Sequence, residues 1–501
     1  MDDWRQRAGT AIAPVPPVRP PTTTGARETA AATSPALALG VILTAQLLTV
    51  LNVSIVNVAL PSIQRELDLS AGATHWLVTA YAITFGGLLI VSGRVGDALG
   101  RRRLFLTGLT VFSIASAVGS ISRSAGMLVT ARAAQGVGAA VIAPTALAIL
   151  ATTFPEGAPR NRAIGMYGAT TSVGFVTGLL VGGVLVWGVG WRAVCWVNVP
   201  IGIAAAVLGW TSLPADRGER RRGVPDVVGA VLVTVATAAI ACTPVAAISE
   251  GWHSARFVGG AAVAVILLVA FAIWEPRHED PLVPPGIVRL PGFGAANVVT
   301  LLFGAWNAGD VLIITLYRER ILGYSPLGAG IASLPQALAG LTAGLLGAWL
   351  VDRFGTRALL LAATATSAVG HAVLSALIGS GYDVVVAAVL FAIALATGGA
   401  AFAATVVGYG GVAEVEHGLA GGLINASRQI GSALGVAALL AVATSVTAHH
   451  VPGEAALTTG YRAALVLAAG VATAAFLVSI AFVPTDHRRS TRVPRPASVR
   501  S

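Results

Sequence analysis

Fourteen apolar windows constrain this chain more than any other feature. They fall at about 36–60, 74–95, 104–122, 126–150, 162–186, 192–213, 226–247, 257–275, 294–316, 328–351, 358–379, 383–408, 419–446 and 462–483. A helix needs about 20 apolar residues to cross the hydrocarbon core of a bilayer. No water is available there to satisfy backbone N–H and C=O groups, so each window is expected to be a helix. The expected fold class is an all-α polytopic membrane protein with 14 transmembrane helices. Composition agrees, with 55% of the 501 residues hydrophobic and 11% charged, against about 25% charged in soluble domains. That excludes an ordinary soluble enzyme and a disordered protein.

All 32 basic residues are arginine, and alanine, glycine, valine and proline abound, as in a GC-rich bacterial genome. The formal charge of +10 does not form the solvated basic face that nucleic-acid binding requires, so no nucleic acid is expected. Counted instead by loop, the arginines choose an orientation. With the N-terminus inside, the tails and even-numbered loops carry 23, including Arg101, Arg102, Arg103, Arg220, Arg221 and Arg222, while the odd-numbered loops carry 7. Both termini are therefore expected on the cytoplasmic side of a bacterial cell membrane, with the protein embedded in the lipid bilayer as a monomer. Cys195 and Cys242 lie far apart in separate apolar runs, so neither a disulfide nor a metal site is expected. Without a Walker A sequence, ATP is not the expected energy source, and no cofactor is implied.

Asp97-Ala-Leu-Gly100-Arg101-Arg102 follows the second window and Asp352-Arg-Phe-Gly355-Thr-Arg357 follows the tenth, both reading D-x-x-G-x-R. An offset of eight spans predicts two six-helix halves with two extra helices between them, a 6 + 2 + 6 arrangement. The organisation expected is a tail at 1–35, a half at 36–213, a two-helix linker at 214–290, a second half at 291–483 and a tail at 484–501.

Several motifs in a fixed order give a resemblance. Gly93-Arg-Val-Gly-Asp97-Ala-Leu-Gly100-Arg101-Arg102-Arg103 is similar to the loop 2–3 signature of the major facilitator superfamily, and Leu128-Val-Thr-Ala-Arg132-Ala-Ala-Gln135-Gly136-Val-Gly138 to its span 4 signature. Leu51-Asn52-Val-Ser54-Ile-Val-Asn57, Trp191-Arg192 with Asn198-Val-Pro200, Gly323-Tyr324-Ser325-Pro326 and Asn425-Ala-Ser-Arg428-Gln429-Ile-Gly431 narrow the resemblance to the fourteen-span drug:proton antiporter family. The resemblance implies the major facilitator fold and a transporter, not an enzyme. It further implies export of a small-molecule drug or antibiotic in exchange for protons.

On this reading Gly93, Asp97, Gly100 and Arg101, with Asp352, Gly355 and Arg357, form gate motifs at cytoplasmic turns; the alternative for Asp97 is topology and turn geometry alone. Arg132 lies within a span, where an unpaired charge costs at least about 2.5–3.5 kcal/mol. The resemblance gives it proton coupling, and backbone hydrogen bonding is the alternative. Arg428, also within a span, is read as structural. In span 5, Gly174, Gly178, Gly182 and Gly183 follow the family's glycine series and are expected to allow close packing at the domain interface, but Leu179 replaces a proline. In span 1, Asn52 stands where the family has a carboxylate, and an amide cannot exchange a proton.

Asp310 is the acidic residue that falls well inside a span. Burial favours the neutral acid and so allows an aspartate in the membrane to exchange a proton. Asp310 is expected to take over coupling or cation recognition, the alternative being an ion pair with an in-span arginine. Thr300, Phe303, Trp306, Asn307 and Asp310 share one helical face. A stripe of this kind suits a cavity that stacks on flat drug-like molecules. Gln46, Asn52, Asn57 and Tyr81 complete the expected substrate cavity. His371 is read as a hydrogen-bonded helix residue, the alternative being a proton carrier. The rival functions are an uncoupled facilitator or importer of a specific metabolite, and a membrane ligand sensor.

Overall fold

The structure is a computed structural model describing residues 34–69, 71–216, 226–251, 254–278, 281–290, 292–381, 384–451 and 453–484. The run Arg220, Arg221, Arg222 and most of both expected tails lie outside these. Lipid leaves the backbone no outside partner, and the apolar windows form long helices: α1 (Pro35–Glu66), α2 (Ala71–Leu99), α3 (Arg101–Ser120), α4 (Ala125–Thr153), α5 (Ala158–Gly188), α6 (Arg192–Ser212), α7 (Val227–Glu250), α8 (Ala255–Trp274), α9 (Phe293–Arg320), α10 (Leu334–Phe354), α11 (Thr356–Leu377), α12 (Val384–Tyr409), α13 (His417–Ala448) and α14 (Glu454–Phe482). Among the described residues thirteen are long and apolar enough to cross a membrane, and α7 adds the shorter apolar run Val227–Ile240. Short polar caps start several helices, as where Ser124 Oγ accepts from Met127 N–H at 3.3 Å.

The arrangement is 6 + 2 + 6. In the first group α1 packs on α5 and α6, and α4 on α2 and α3; in the second α9 packs on α13 and α14, and α12 on α10 and α11. Glycines set the spacing. Gly174, Gly178 and Gly182 of α5 lie against Val50, Ser54 and Ile55 of α1, and Gly431 and Gly435 of α13 lie against the carbonyl oxygens of Leu301 and Ala305 on α9. A Cβ at Gly431 or Gly435 would meet that backbone and force the helices apart.

The groups meet along two seams, α2 with α13 and α5 with α10. The α5 seam uses Gly165, Ala169 and Ser172 against Gly344 and Gly340. This corrects the expected place of the glycine series: Ser172 and Gly174 are two residues apart, about 200° around the helix, so the series faces α1 inside its own half. Gly183 has open space beside it.

Of the two extra helices, α7 packs on α2 and α13 across their seam, with Thr234 O 3.1 Å from where a Cβ on Gly87 would sit. α8 is peripheral, with 6% of its apolar window buried. At their shared end Asp226 Oδ1 accepts from Gly229 N–H (2.8 Å) and Trp274 Nε1–H (3.0 Å), and Glu275 Oε1 accepts from Val283 N–H (2.5 Å).

Candidate functional site

Gly100 (φ 109°) and Gly355 (φ 89°) turn the chain from α2 into α3 and from α10 into α11. Both need a left-handed backbone that favours glycine. The two D-x-x-G-x-R motifs thus make equivalent turns, yet their aspartates differ. Asp97 is buried across the seam. Its Oδ1 accepts from Gly418 N–H (3.0 Å) and Oδ2 from Leu419 N–H (2.9 Å), both at the start of α13. The first N–H groups of a helix have no partner within it, and Glu416, in the capping position of α13, makes no side-chain cap. Asp97 therefore caps a helix of the opposite half, with its negative charge at the positive end of the helix dipole. Arg101 Nη2 closes the group at 2.8 Å from Asp97 Oδ1 and donates to Glu414 O. Close by, Gly93 and Gly418 meet backbone to backbone. Asp352 is exposed instead, and Arg357 donates to Ile480 O at 2.7 Å within its own half.

Arg132 is 3% exposed. Its Nε donates to Leu77 O (3.0 Å), its Nη1 to Gln135 Oε1 (2.8 Å), and its guanidinium lies over the Tyr81 ring at 4.6 Å. Gln135 passes the chain on to Ser116 Oγ at 2.8 Å. These partners are neutral, and they tie α4 to α2 and α3. Arg428 donates to Asn425 Oδ1 at 3.1 Å and lies within electrostatic reach of Tyr81 and Tyr167 of the other half. Arg318, which the window edges leave in a loop, belongs to the last turns of α9. It is 1% exposed and donates to Ser333 Oγ, Ala332 O and Gln336 Oε1.

The residues expected in a substrate cavity are dispersed. Gln46 bonds Thr171 of α5 at 3.1 Å, Asn52 accepts from Asn198 of α6 at 3.3 Å, Tyr81 lies beneath Arg132, and Asn57 is exposed. Phe303 and Trp306 meet edge to face at 5.8 Å in the core of the second half, and Trp306 Nε1 donates to Thr397 Oγ1 at 3.3 Å. Asn307 is half-buried beside them.

Asp310, on the same helix, is buried, and the ionisable side chain facing its carboxylate is a histidine, not an arginine. His371 Nε2 of α11 lies 3.7 Å from Asp310 Oδ1. Sequence reasoning missed this pairing; the only local signal was one histidine inside an apolar window.

Residues 42–234 match the family profile described as Major Facilitator Superfamily. The chain is 40% identical over 446 residues to the puromycin resistance protein of Streptomyces alboniger, covering 86% of this chain and 88% of that one. It is 38% identical over 422 residues to the cephamycin export protein of Amycolatopsis lactamdurans, covering 82% and 86%. The crystal structure of the human organic anion transporter MFSD10 shares its fold at a TM-score of 0.66 and 17% identity, covering 89% of this chain and 99% of that one.

Proposed function

Because this chain belongs to the major facilitator superfamily, in its group of drug- and antibiotic-efflux transporters, we propose that it exports a drug or antibiotic from the bacterial cytoplasm by alternating access, in exchange for protons. The supporting observation is the bond between the halves at Asp97. Two separately packed half-bundles are held at their arginine-rich ends by a carboxylate capping α13, a contact that rigid-body rocking breaks and remakes. On this reading that end is cytoplasmic and closed, Asp310 takes up the proton, and Arg132 keeps a fixed positive charge in the opposite half. One proton moving inward supplies about 2.3 kcal/mol per 100 mV, enough for roughly fiftyfold accumulation.

The test is a susceptibility panel of antibiotics and lipophilic cations on cells expressing the protein, with and without a protonophore. Resistance that collapses with the protonophore is the expected result, and Asp310→Asn should lose it at normal expression. One observation favours a second reading, an uncoupled facilitator: the family's span 1 carboxylate is replaced by Asn52, fully buried in a neutral amide pair with Asn198. Export into everted vesicles that survives the protonophore would select it.

A further inference from the structure

We infer that Asp310 and His371 together form a single-proton binding site inside the C-terminal half, with the proton held between Asp310 Oδ1 and His371 Nε2. The inference rests on the antiport reading and goes beyond it in assigning the site to a pair of atoms on two helices.

The geometry fixes where the proton lies. His371 Nδ1 is 2.7 Å from Ser367 O. A carbonyl oxygen only accepts, so Nδ1 carries hydrogen and donates. In a neutral imidazole Nε2 is then a bare acceptor. It faces Asp310 Oδ1, which is an acceptor too when the carboxylate is ionised, at 3.7 Å. Among the described residues neither atom has a hydrogen-bond partner, and His371 is 0% and Asp310 6% exposed. Two acceptors facing each other in a low-dielectric interior repel, and among the described residues no hydrogen bond satisfies either atom. One added proton removes both costs. It forms an O–H bond to Asp310 or an N–H bond to His371, donates to the other atom once the pair closes from 3.7 Å to hydrogen-bond distance, and leaves the pair neutral overall. Exchange runs through the aspartate, the partner that keeps some accessible surface.

The surroundings supply little competing charge. α12 between 384 and 408, α13 between 429 and 448, and α14 between 463 and 482 contain no ionisable side chain. The ionisable groups that act on Asp310 are His371 and, two turns along α9, Arg318; those of α14, Glu454, Tyr461 and Arg462, lie toward its start. The site therefore has two charge states, neutral when loaded and singly negative when empty.

The experiment uses the purified full chain. Infrared difference spectra between high and low pH should show the carbonyl stretch of a protonated carboxylic acid. In Asp310→Asn one component of the band should vanish, the remainder belonging to other carboxyls such as Asp97 and Glu275, and in His371→Gln the pH midpoint of that component should move by at least about one pH unit. In proteoliposomes His371→Gln should cut accumulation driven by a pH gradient at least about tenfold, with substrate exchange at equal pH measured alongside to separate lost coupling from lost folding. A band undiminished in Asp310→Asn, a component midpoint unmoved in His371→Gln, or full gradient-driven export by His371→Gln would each overturn the pair. If His371→Gln loses exchange as well, His371→Asn, which keeps a polar group, is measured for the band alone, and an unmoved midpoint again overturns it. Wild-type protein that shows the pair-dependent band but no gradient-driven export would leave the proton site standing and sink the antiport reading.

Discussion

Asp97→Asn tests the contact between the halves most directly, because a single oxygen is replaced in a site where each oxygen has its own donor. In the closed state one carboxylate oxygen takes Gly418 N–H and Arg101, and the other takes Leu419 N–H. An asparagine keeps one acceptor, and its NH2 group then points at a backbone N–H. The closed state loses one hydrogen bond to a charged group, about 1.5–3 kcal/mol, and orphans a buried donor, about 1–3 kcal/mol. In the open state water satisfies the same N–H, so nearly the whole cost, roughly 3 kcal/mol, falls on closure. At about 1.4 kcal/mol per factor of ten, the closed-to-open ratio should drop by roughly a hundredfold. Spin labels on cysteines introduced at Glu156 and Arg353, both exposed and on opposite halves, with Cys195 and Cys242 replaced by alanine, report the separation by pulsed electron resonance. A population confined to the short distance should acquire a large long-distance component in the variant. An unchanged distance distribution would refute the trans-capping argument, since the capping geometry leaves Asn no way to satisfy both N–H groups.

Gly431→Val drives a side chain into Leu301 O and should cost at least about 1–3 kcal/mol by overpacking, seen as loss of monodisperse protein; Gly168→Val, with open space around it, should be neutral in the same assay. Trp306→Ala empties a fully buried core site and should destabilise by about 3–5 kcal/mol; a changed substrate profile at unchanged melting temperature would instead make Trp306 a substrate contact. Glu275→Gln replaces a buried carboxylate whose Oε2 lacks a donor and lies with Asp226 Oδ2 against Gly229. An amide donor there should raise the melting midpoint by roughly 1–3 °C, and a lowered midpoint would show that Glu275 is needed as an anion.

What could be read from the sequence was what is local. Helix identity follows from twenty consecutive apolar residues wherever they occur, and the turns at Gly100 and Gly355 follow from their motifs. Asp310 stood out because a carboxylate inside an apolar run is expensive in any fold. Its partner did not, since His371 reaches it only through the relative height and rotation of α9 and α11, which no local pattern encodes. The same limit hid the difference between Asp97, which caps α13, and Asp352, which is exposed. It also bears on faces. The stripe through Phe303 and Trp306 marks a side of α9 that differs from the rest, but a side turned to the core of its own half and a side turned to a cavity can carry the same residues.

The packing of α13 ties the two charged features into one mechanical unit. Its first turn holds the Asp97 cap, and its middle lies against α9 with backbone nearly touching backbone at Gly431 and Gly435. Gly309, the residue before Asp310, would meet Leu439 of α13 at 2.5 Å if it carried a Cβ. With so little side chain between the helices, no soft layer absorbs a shift of α9 at Asp310, and close-packed interiors transmit displacement. A charge change at the Asp310–His371 pair therefore acts on the same helix whose end forms the closing contact. On the proposed mechanism, proton uptake deep in one half and gating at the end of the bundle would need no further linking element than α13 itself.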